Sequence, residues 1–247
     1  MDKKKRVVLI GGGFAGLNFI KRLYNSKDYH ITLVDTNNYN YFTPLLYQVA
    51  TGFLEPSSIS YPFRKLFQGK EVAFRMADVV RVNAERNTVY LSDGGTLVYD
   101  LLVFAAGSKS NFYGNESVRK NATALKGIDD ALYMRNRLIE ILEKASVEQD
   151  PIEKAKLLTV VIAGGGPTGV EVAGMLAEFK DTILAEEYPE MLNATLKVYV
   201  VDGAPHLLAP MSGKTHKAAY SILKRLGIHV ILNVQVTSYE NDEVHLS

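Results

Sequence analysis

"VVIAGGGPTGVEVAG", Val160 to Gly174, decides the fold. An apolar run ends in three glycines, and apolar residues then return at helical spacing. This pattern reads as a buried strand, a glycine-rich turn and the first turns of a helix. The plan already stands at the start of the chain as "VVLIGGGFAG", Val7 to Gly16. A repeat separated by about 150 residues implies two related domains rather than a solenoid. Strand–helix alternation around both copies predicts an α/β chain with parallel, doubly wound sheets, two Rossmann-like dinucleotide-binding domains in succession.

Outward from the first turn, a helix is expected from about Phe14 to Asn25, with Leu17, Ile20, Leu23 and Tyr24 on one stripe. "HITLVD" is the next strand and ends at Asp35. Tyr39 to Gly69, rich in proline and aromatics, reads as irregular loop and short helix. Glu71 to Asp100 reads as short antiparallel strands with turns at Glu85–Asn87 and Asp93–Gly95. "LLVFAAG", Leu101 to Gly107, is a buried strand running into another glycine turn. Ile128 to Ala145 is an amphipathic helix, and Glu148 to Lys156, with Pro151, is a connector. After the second glycine turn a helix begins near Pro167, and "LKVYVVD" forms a strand ending at Asp202. A helix from Ser212 to Leu226 closes on Gly227, and strands follow in "IHVILN" and "EVHLS".

Composition excludes several classes. The 247 residues are 47% hydrophobic and 22% charged with a net charge of +1, an ordinary soluble composition. The near-neutral charge gives no argument for nucleic acid as a partner. There is no cysteine, which excludes disulfides, thiolate metal sites and cysteine nucleophiles, and no metal site is expected. The basic start "MDKKKR" leads into an apolar run of only Val7 to Ile10, too short for a signal peptide. No apolar run approaches the ~18 residues of a spanning helix. A cytoplasmic location is expected.

Gly11, Gly13 and Gly16 form G-x-G-x-x-G between strand and helix. The first glycine permits the tight turn, the second lets backbone approach a pyrophosphate, and the third lets helix and strand pack closely. The helix start offers unpaired N–H groups to the phosphates. Asp35 follows about twenty residues on, where a carboxylate accepts bonds from ribose hydroxyls. Gly164, Gly166 and Gly169 repeat the pattern, and Asp202 ends the following strand, further along than usual. No arginine lies within several residues of Asp202, which favours NAD(H) over NADP(H). The bland reading of Asp202 is a cap on the turn before Gly203. Small residues at Ala106 and Gly107 let a bound cofactor pass close to the backbone.

Two cradles imply two dinucleotides. A flavin takes a hydride from a nicotinamide and releases electrons singly or in pairs, so FAD in one and NADH in the other is the expected pairing. Glu171, two residues beyond Gly169, has two readings. A carboxylate in a first helical turn is favoured by the helix dipole. Alternatively it faces the nicotinamide and flavin as a catalytic residue, positioning or relaying a proton.

On these residues the sequence resembles the type II NADH dehydrogenases, non-proton-pumping NADH:quinone oxidoreductases. The most specific piece is "NYFTPLLYQVATGFLEPSSISYPFRKLF", Asn40 to Phe67, and "GGGPTGVEVAG" resembles the family's NADH-site motif. The resemblance implies an FAD-binding domain over residues 1–112 and an NADH-binding domain over 113–247. It implies FAD held by Gly11, Gly13, Phe14, Ala15 and Gly16, with Asp35 on the ribose, Val79 at the adenine, Thr43 and Pro44 near the isoalloxazine, and Ala106 and Gly107 on the phosphate side. It implies NADH held by Gly164, Gly166, Pro167, Thr168 and Gly169, with Asp202 on the ribose, and Glu171 between the reacting rings and the quinone path. Family members continue well beyond this length, so the chain reads as the N-terminal part of a longer protein. The C-terminal portion of the fold is then missing, with much of the quinone site and the region that docks peripherally on the cytoplasmic face of the membrane. For the chain alone, pairing of an open edge into a homodimer, or weak retention of FAD, is the expected behaviour. Two other readings stay open: a reductase serving a soluble acceptor such as ferredoxin, and a non-catalytic nucleotide-binding or redox-sensing module.

Overall fold

The computed structural model describes residues 4–191 and 196–247. They form two compact units, Met1–Phe42 with Ser57–Lys109, and Thr43–Pro56 with Ser110–Ser247. After residue 56 the chain passes from the first unit to the second between Lys109 and Ser110. The excursion of residues 43–56 into the second unit has no counterpart in the sequence reading.

The first unit is built on strands β1 (Lys5–Ile10) and β2 (Tyr29–Asp35). A ribbon follows, β3 (Tyr39–Tyr41) with β4 (Ser60–Pro62), then β5 (Val72–Met76), β6 (Val79–Asn83), β7 (Thr88–Leu91), β8 (Thr96–Val98) and β9 (Leu101–Phe104). The main sheet runs β5–β2–β1–β9. All its pairings are parallel. Here the structure corrects an expectation. Val72–Met76 joins the parallel sheet beside β2, and only β6–β7–β8 form the antiparallel piece. The strand reads as half-polar because it is an outer one.

Parallel strands buried on both faces need apolar residues at successive positions. In β1, Val7 and Leu9 pack with Ile20, Ile31, Leu33 and Phe63, while Val8 and Ile10 pack with Val34, Val89 and Leu91 on the other face. The helix Phe14–Leu23 returns the chain from β1 to β2. The Arg6 guanidinium and backbone N–H both bond Asp100, at 2.7 to 3.1 Å, fixing the register of β1 against β9. That register carries Ala105 to the end of β1, where its N–H donates to the Ile10 carbonyl at 2.7 Å.

The second unit repeats the scheme with β10 (Thr159–Ala163), β11 (Lys197–Asp202) and β12 (His229–Leu232), in that order and parallel, plus a hairpin of β13 (Val236–Glu240) and β14 (Glu243–Leu246). Its core joins Val198 and Val200 to Ala173 and Leu176 of the helix Pro167–Phe179 and to Leu223 of the helix Gly213–Arg225. The helix Ile128–Val147 packs against the short helix Leu46–Ala50 of the excursion. A second correction falls at Pro151, which begins a helix, Pro151–Leu157, rather than breaking a connector. Proline suits the first helical position because the N–H it lacks has no intrahelical partner there. Asp150 caps that end through a bond from the Ile152 N–H at 2.8 Å.

Candidate functional site

In the first unit the glycine turn leaves β1 with Gly11 at φ +98°, a conformation that favours glycine. A side chain there would also strike the Ala105 carbonyl oxygen at 2.3 Å. Gly16 faces the turn it follows, and an added Cβ would lie 2.0 Å from the Gly11 oxygen, so helix and strand close only on glycine. Gly13 differs from both. A Cβ there would meet nothing within 4 Å, although the residue caps the helix Phe14–Leu23 in an extended conformation open to any residue. Folding therefore explains Gly11 and Gly16 but not Gly13.

Asp35, at the end of β2, turns back onto this loop. Its Oδ2 accepts the Gly12 N–H at 2.6 Å and its Oδ1 accepts the Asn37 N–H at 2.8 Å. A carboxylate has about four lone-pair sites, so accepting capacity remains for hydroxyls of a bound ribose.

The second unit reproduces this geometry. Gly164 has φ +121°, an added Cβ on Gly169 would lie 2.0 Å from the Gly164 oxygen, and one on Gly166 would meet nothing within 4 Å. Asp202 accepts the Gly165 N–H at 2.5 Å and the Ala204 N–H at 2.7 Å. The acid stands 37 residues after its glycine partner here, against 23 in the first unit, yet the contact is the same. The turn-capping reading of Asp202 describes one of its oxygens, and the other belongs to the cradle.

Both turns pass the test for a dinucleotide. The space a side chain at the second glycine would fill is clear of protein, at a helix N-terminus whose N–H groups favour an anion. A carboxylate is held against the middle glycine of each turn.

The family described as Pyridine nucleotide-disulphide oxidoreductase matches residues 5–247. The chain belongs to this family. Among curated relatives, it is 35% identical over 246 residues to the type II NADH:quinone oxidoreductase Ndh of Mycobacterium tuberculosis, covering 98% of this chain and 53% of that protein. It is 37% identical over 241 residues to NdhA of the same organism, covering 96% and 51%. The solved structure of Plasmodium falciparum NDH2 in complex with NADH superposes with a TM-score of 0.91 at 28% identity, over 99% of this chain and 51% of that one. The chain spans about half the length of the curated relatives it matches. These similarities agree with the resemblance drawn from the sequence. Lacking cysteine, this member of the family holds no disulphide of its own.

The structure groups most of the expected residues within their own units. Phe14 and Ala15 open the first helix on its exposed side, and Phe14 meets Phe42 edge-on at 5.5 Å. Ala106 adjoins Gly11 at the sheet end, and Gly107 continues exposed. Val79 opens β6, two residues after Ala77, whose N–H bonds the Asp35 carbonyl at 3.0 Å. Pro167 and Thr168 are the exposed first residues of the second cradle's helix. Thr43 and Pro44 stand on an exposed turn of the excursion, grouped with the second unit rather than with the first cradle.

Glu171 corrects an expectation. The helix begins at Pro167 with Gly166 as cap and has no acid in its first turn, so Glu171 is its fifth residue. The dipole effect falls off within the first turn, which weakens the capping reading. The side chain is exposed and has no hydrogen bond among the described residues, yet partial burial raises its pKa above the usual carboxylate value.

Sequence reasoning missed the middle glycines. Gly12 and Gly165 are buried and donate to the two acids. A Cβ on Gly12 would strike the Phe63 ring at 2.2 Å, and one on Gly165 would strike Leu207 at 2.6 Å. It also missed Asn40, whose Nδ2 donates to the Gly12 carbonyl at 2.9 Å. The only available signal was the run of three glycines where the motif requires two.

Proposed function

We propose that this chain is the two-dinucleotide part of an NADH:quinone oxidoreductase, with FAD in the first cradle and NADH in the second. The observation that carries the reading is the pair of second glycines, Gly13 and Gly166, each facing space that folding leaves unused. The named relatives supply the assignment of ligands and acceptor.

When bound, FAD supplies a ring system that accepts a hydride from NADH and passes electrons to a quinone. The chain's own residues bind and orient. Backbone N–H groups of Gly13, Phe14 and Ala15 meet the FAD pyrophosphate, and Gly16 keeps the helix close behind them. Asp35 holds the ribose, with Val79 at the adenine and Ala106 and Gly107 flanking the phosphates. Thr43 and Pro44 serve the flavin ring. Gly166, Pro167, Thr168 and Gly169 play the corresponding part for NADH, with Gly164 shaping the turn and Asp202 on the ribose. Glu171, solvated on one side and partly desolvated on the other, orients the nicotinamide or holds a proton near it.

Quinones dissolve in membranes, so this reading includes a peripheral position on the cytoplasmic face of a membrane. No helix among the described residues is long and apolar enough to cross one. Among the described residues β5 and β9 are the outer strands of the sheet, and β9 exposes Phe104 at 67%, an edge suited to pairing in a homodimer.

The visible spectrum of the purified chain, before and after anaerobic addition of NADH, tests the reading. Flavin absorbance that bleaches with NADH and returns with a soluble quinone analogue is expected. A chain that binds no flavin when supplied with it, or reacts with ferredoxin and not with quinone, refutes the assignment.

A further inference from the structure

The two cradles hold the same carbonyl by different means. In the second, the Gly165 oxygen accepts a backbone N–H, that of Leu208, at 2.8 Å. In the first, the Gly12 oxygen accepts a side-chain donor, Asn40 Nδ2, at 2.9 Å. The opposite pole of each middle glycine is already taken, because its N–H bonds Asp35 or Asp202. Both backbone polar groups of Gly12 and of Gly165 are therefore fixed by the protein.

In a trans peptide the C=O and the following N–H point in opposite directions. No peptide bond among the described residues is cis. Holding the Gly12 carbonyl thus aims the Gly13 N–H away from Asn40. That N–H opens the capped end of the helix Phe14–Leu23, over the space a side chain at Gly13 would fill, and has no acceptor among the described residues.

The mounting of Asn40 supports a specific device. Asn40 is the middle residue of β3 and pairs with Tyr61 of β4. Phe63, which blocks the α-carbon of Gly12, follows β4 directly and donates its N–H to the Asn38 carbonyl at 2.9 Å. One small ribbon thus brings a polar clamp and an apolar stop to the same glycine. Gly12 is buried, so its carbonyl needs a partner, and in this cradle a side chain rather than the backbone supplies it.

We infer that Asn40 is a positioning residue for the dinucleotide of the first cradle, acting through the Gly12–Gly13 peptide to preset the N–H that meets the pyrophosphate. The inference rests on reading this turn as a dinucleotide cradle. The second cradle, whose clamp is backbone, has no side chain whose removal would have the same effect. Without the clamp the peptide can rotate, and the N–H is preset in only a fraction of molecules, which lowers apparent affinity by that fraction.

The test compares Asn40→Asp and Asn40→Leu, both close in size and both unable to donate at neutral pH, with Gly13→Val in the full chain. FAD and NADH affinities are measured separately, by flavin fluorescence and by calorimetry, and the Gly13 and Gly166 amide signals are followed by NMR in the ligand-free protein. The dinucleotide that Gly13→Val abolishes should bind at least tenfold more weakly to both Asn40 variants. The other dinucleotide should bind as before, and the Gly13 signal should move while that of Gly166 stays. If the dinucleotide lost is NADH, the proposed cofactor order is reversed while the role of Asn40 stands or falls on the same comparison. Wild-type affinity in the Asn40 variants overturns the inference, as does equal weakening of both dinucleotides, which marks a general loss of structure. If Gly13→Val abolishes neither, the cradle reading and the inference both fail.

Discussion

The three glycines of each motif can be separated by experiment, because the structure gives them different obligations. Gly16→Ala places a Cβ 2.0 Å from the Gly11 oxygen, where ordinary contact begins near 3.4 Å. The obstacle is backbone and cannot rotate aside, so the helix must retreat by about 1 Å or more, and overpacking of this kind costs about 1–3 kcal/mol. Alanine returns about 1 kcal/mol over glycine inside a helix. With a backbone obstacle at the upper end of that range, a net loss of about 2 kcal/mol is expected, about 4–8 °C in melting temperature for a chain of this size. The Cβ of Gly13→Val meets nothing within 4 Å and the residue keeps an extended N-cap conformation, so the ligand-free protein should lose under about 1 kcal/mol, chiefly from the poorer cap. In the proposed arrangement the valine instead occupies the space of the pyrophosphate. Thermal unfolding of the ligand-free variants by circular dichroism, beside flavin retention on gel filtration, reads both effects. Gly16→Ala should melt early and Gly13→Val should melt normally but come out colourless. If Gly13→Val melts as early as Gly16→Ala, or stays yellow, the division between folding glycines and binding glycine is refuted.

The same logic in the second cradle predicts that Gly166→Val spares FAD and removes NADH binding, measured by calorimetry. Binding of NADPH should be at least tenfold weaker than that of NADH in the same titration, because in the proposed arrangement Asp202 faces the ribose and a 2′-phosphate would bring like charges together. Glu171→Gln should barely move the melting temperature at acid pH and slow NADH:quinone turnover about tenfold or more in the complete protein. Since its folded pKa is raised, the stability Glu171 contributes is present below the unfolded-chain value near about 4.3 and is lost as pH rises through the folded value. The glutamine variant should therefore gain on the wild type toward neutral pH, and melts across that window would show a flat difference if the reasoning is wrong. Phe104→Lys should shift the sedimentation of the ligand-free chain toward monomer if the β9 edge mediates pairing.

The parts of the site that follow from local chemistry were legible in the sequence. A glycine whose neighbour is the next turn of its own helix, such as Gly16, leaves its mark in motif spacing. Asp35 and Asp202 could be read because they end apolar strands, although the longer helix before Asp202 hid how alike their contacts are. Asn40, Phe63 and the burial of Gly12 were not legible, since their partners lie 28 residues apart for Asn40 and on a ribbon too short to show alternation. Val72–Met76 was misassigned because an outer parallel strand carries the same mixed pattern as an antiparallel one. Pro151 and Glu171 misled for one reason: the position of a helix start decides what a residue near it does.

The excursion of residues 43–56 constrains the order in which this chain can mature. Leu46, Val49 and Ala50 are 0–3% exposed, and their helix packs on Ile128–Val147. A nascent chain emerges from its amino end at roughly 5–20 residues per second. The sheet of the first unit, complete at Phe104, can thus form before the helix Ile128–Val147, on which this apolar loop packs, has been made. For roughly several seconds of every synthesis cycle the loop then lacks the helix that covers it, exposed apolar surface of the kind that chaperones bind and aggregation starts from, and a ribosome pausing before Val147 would lengthen that interval.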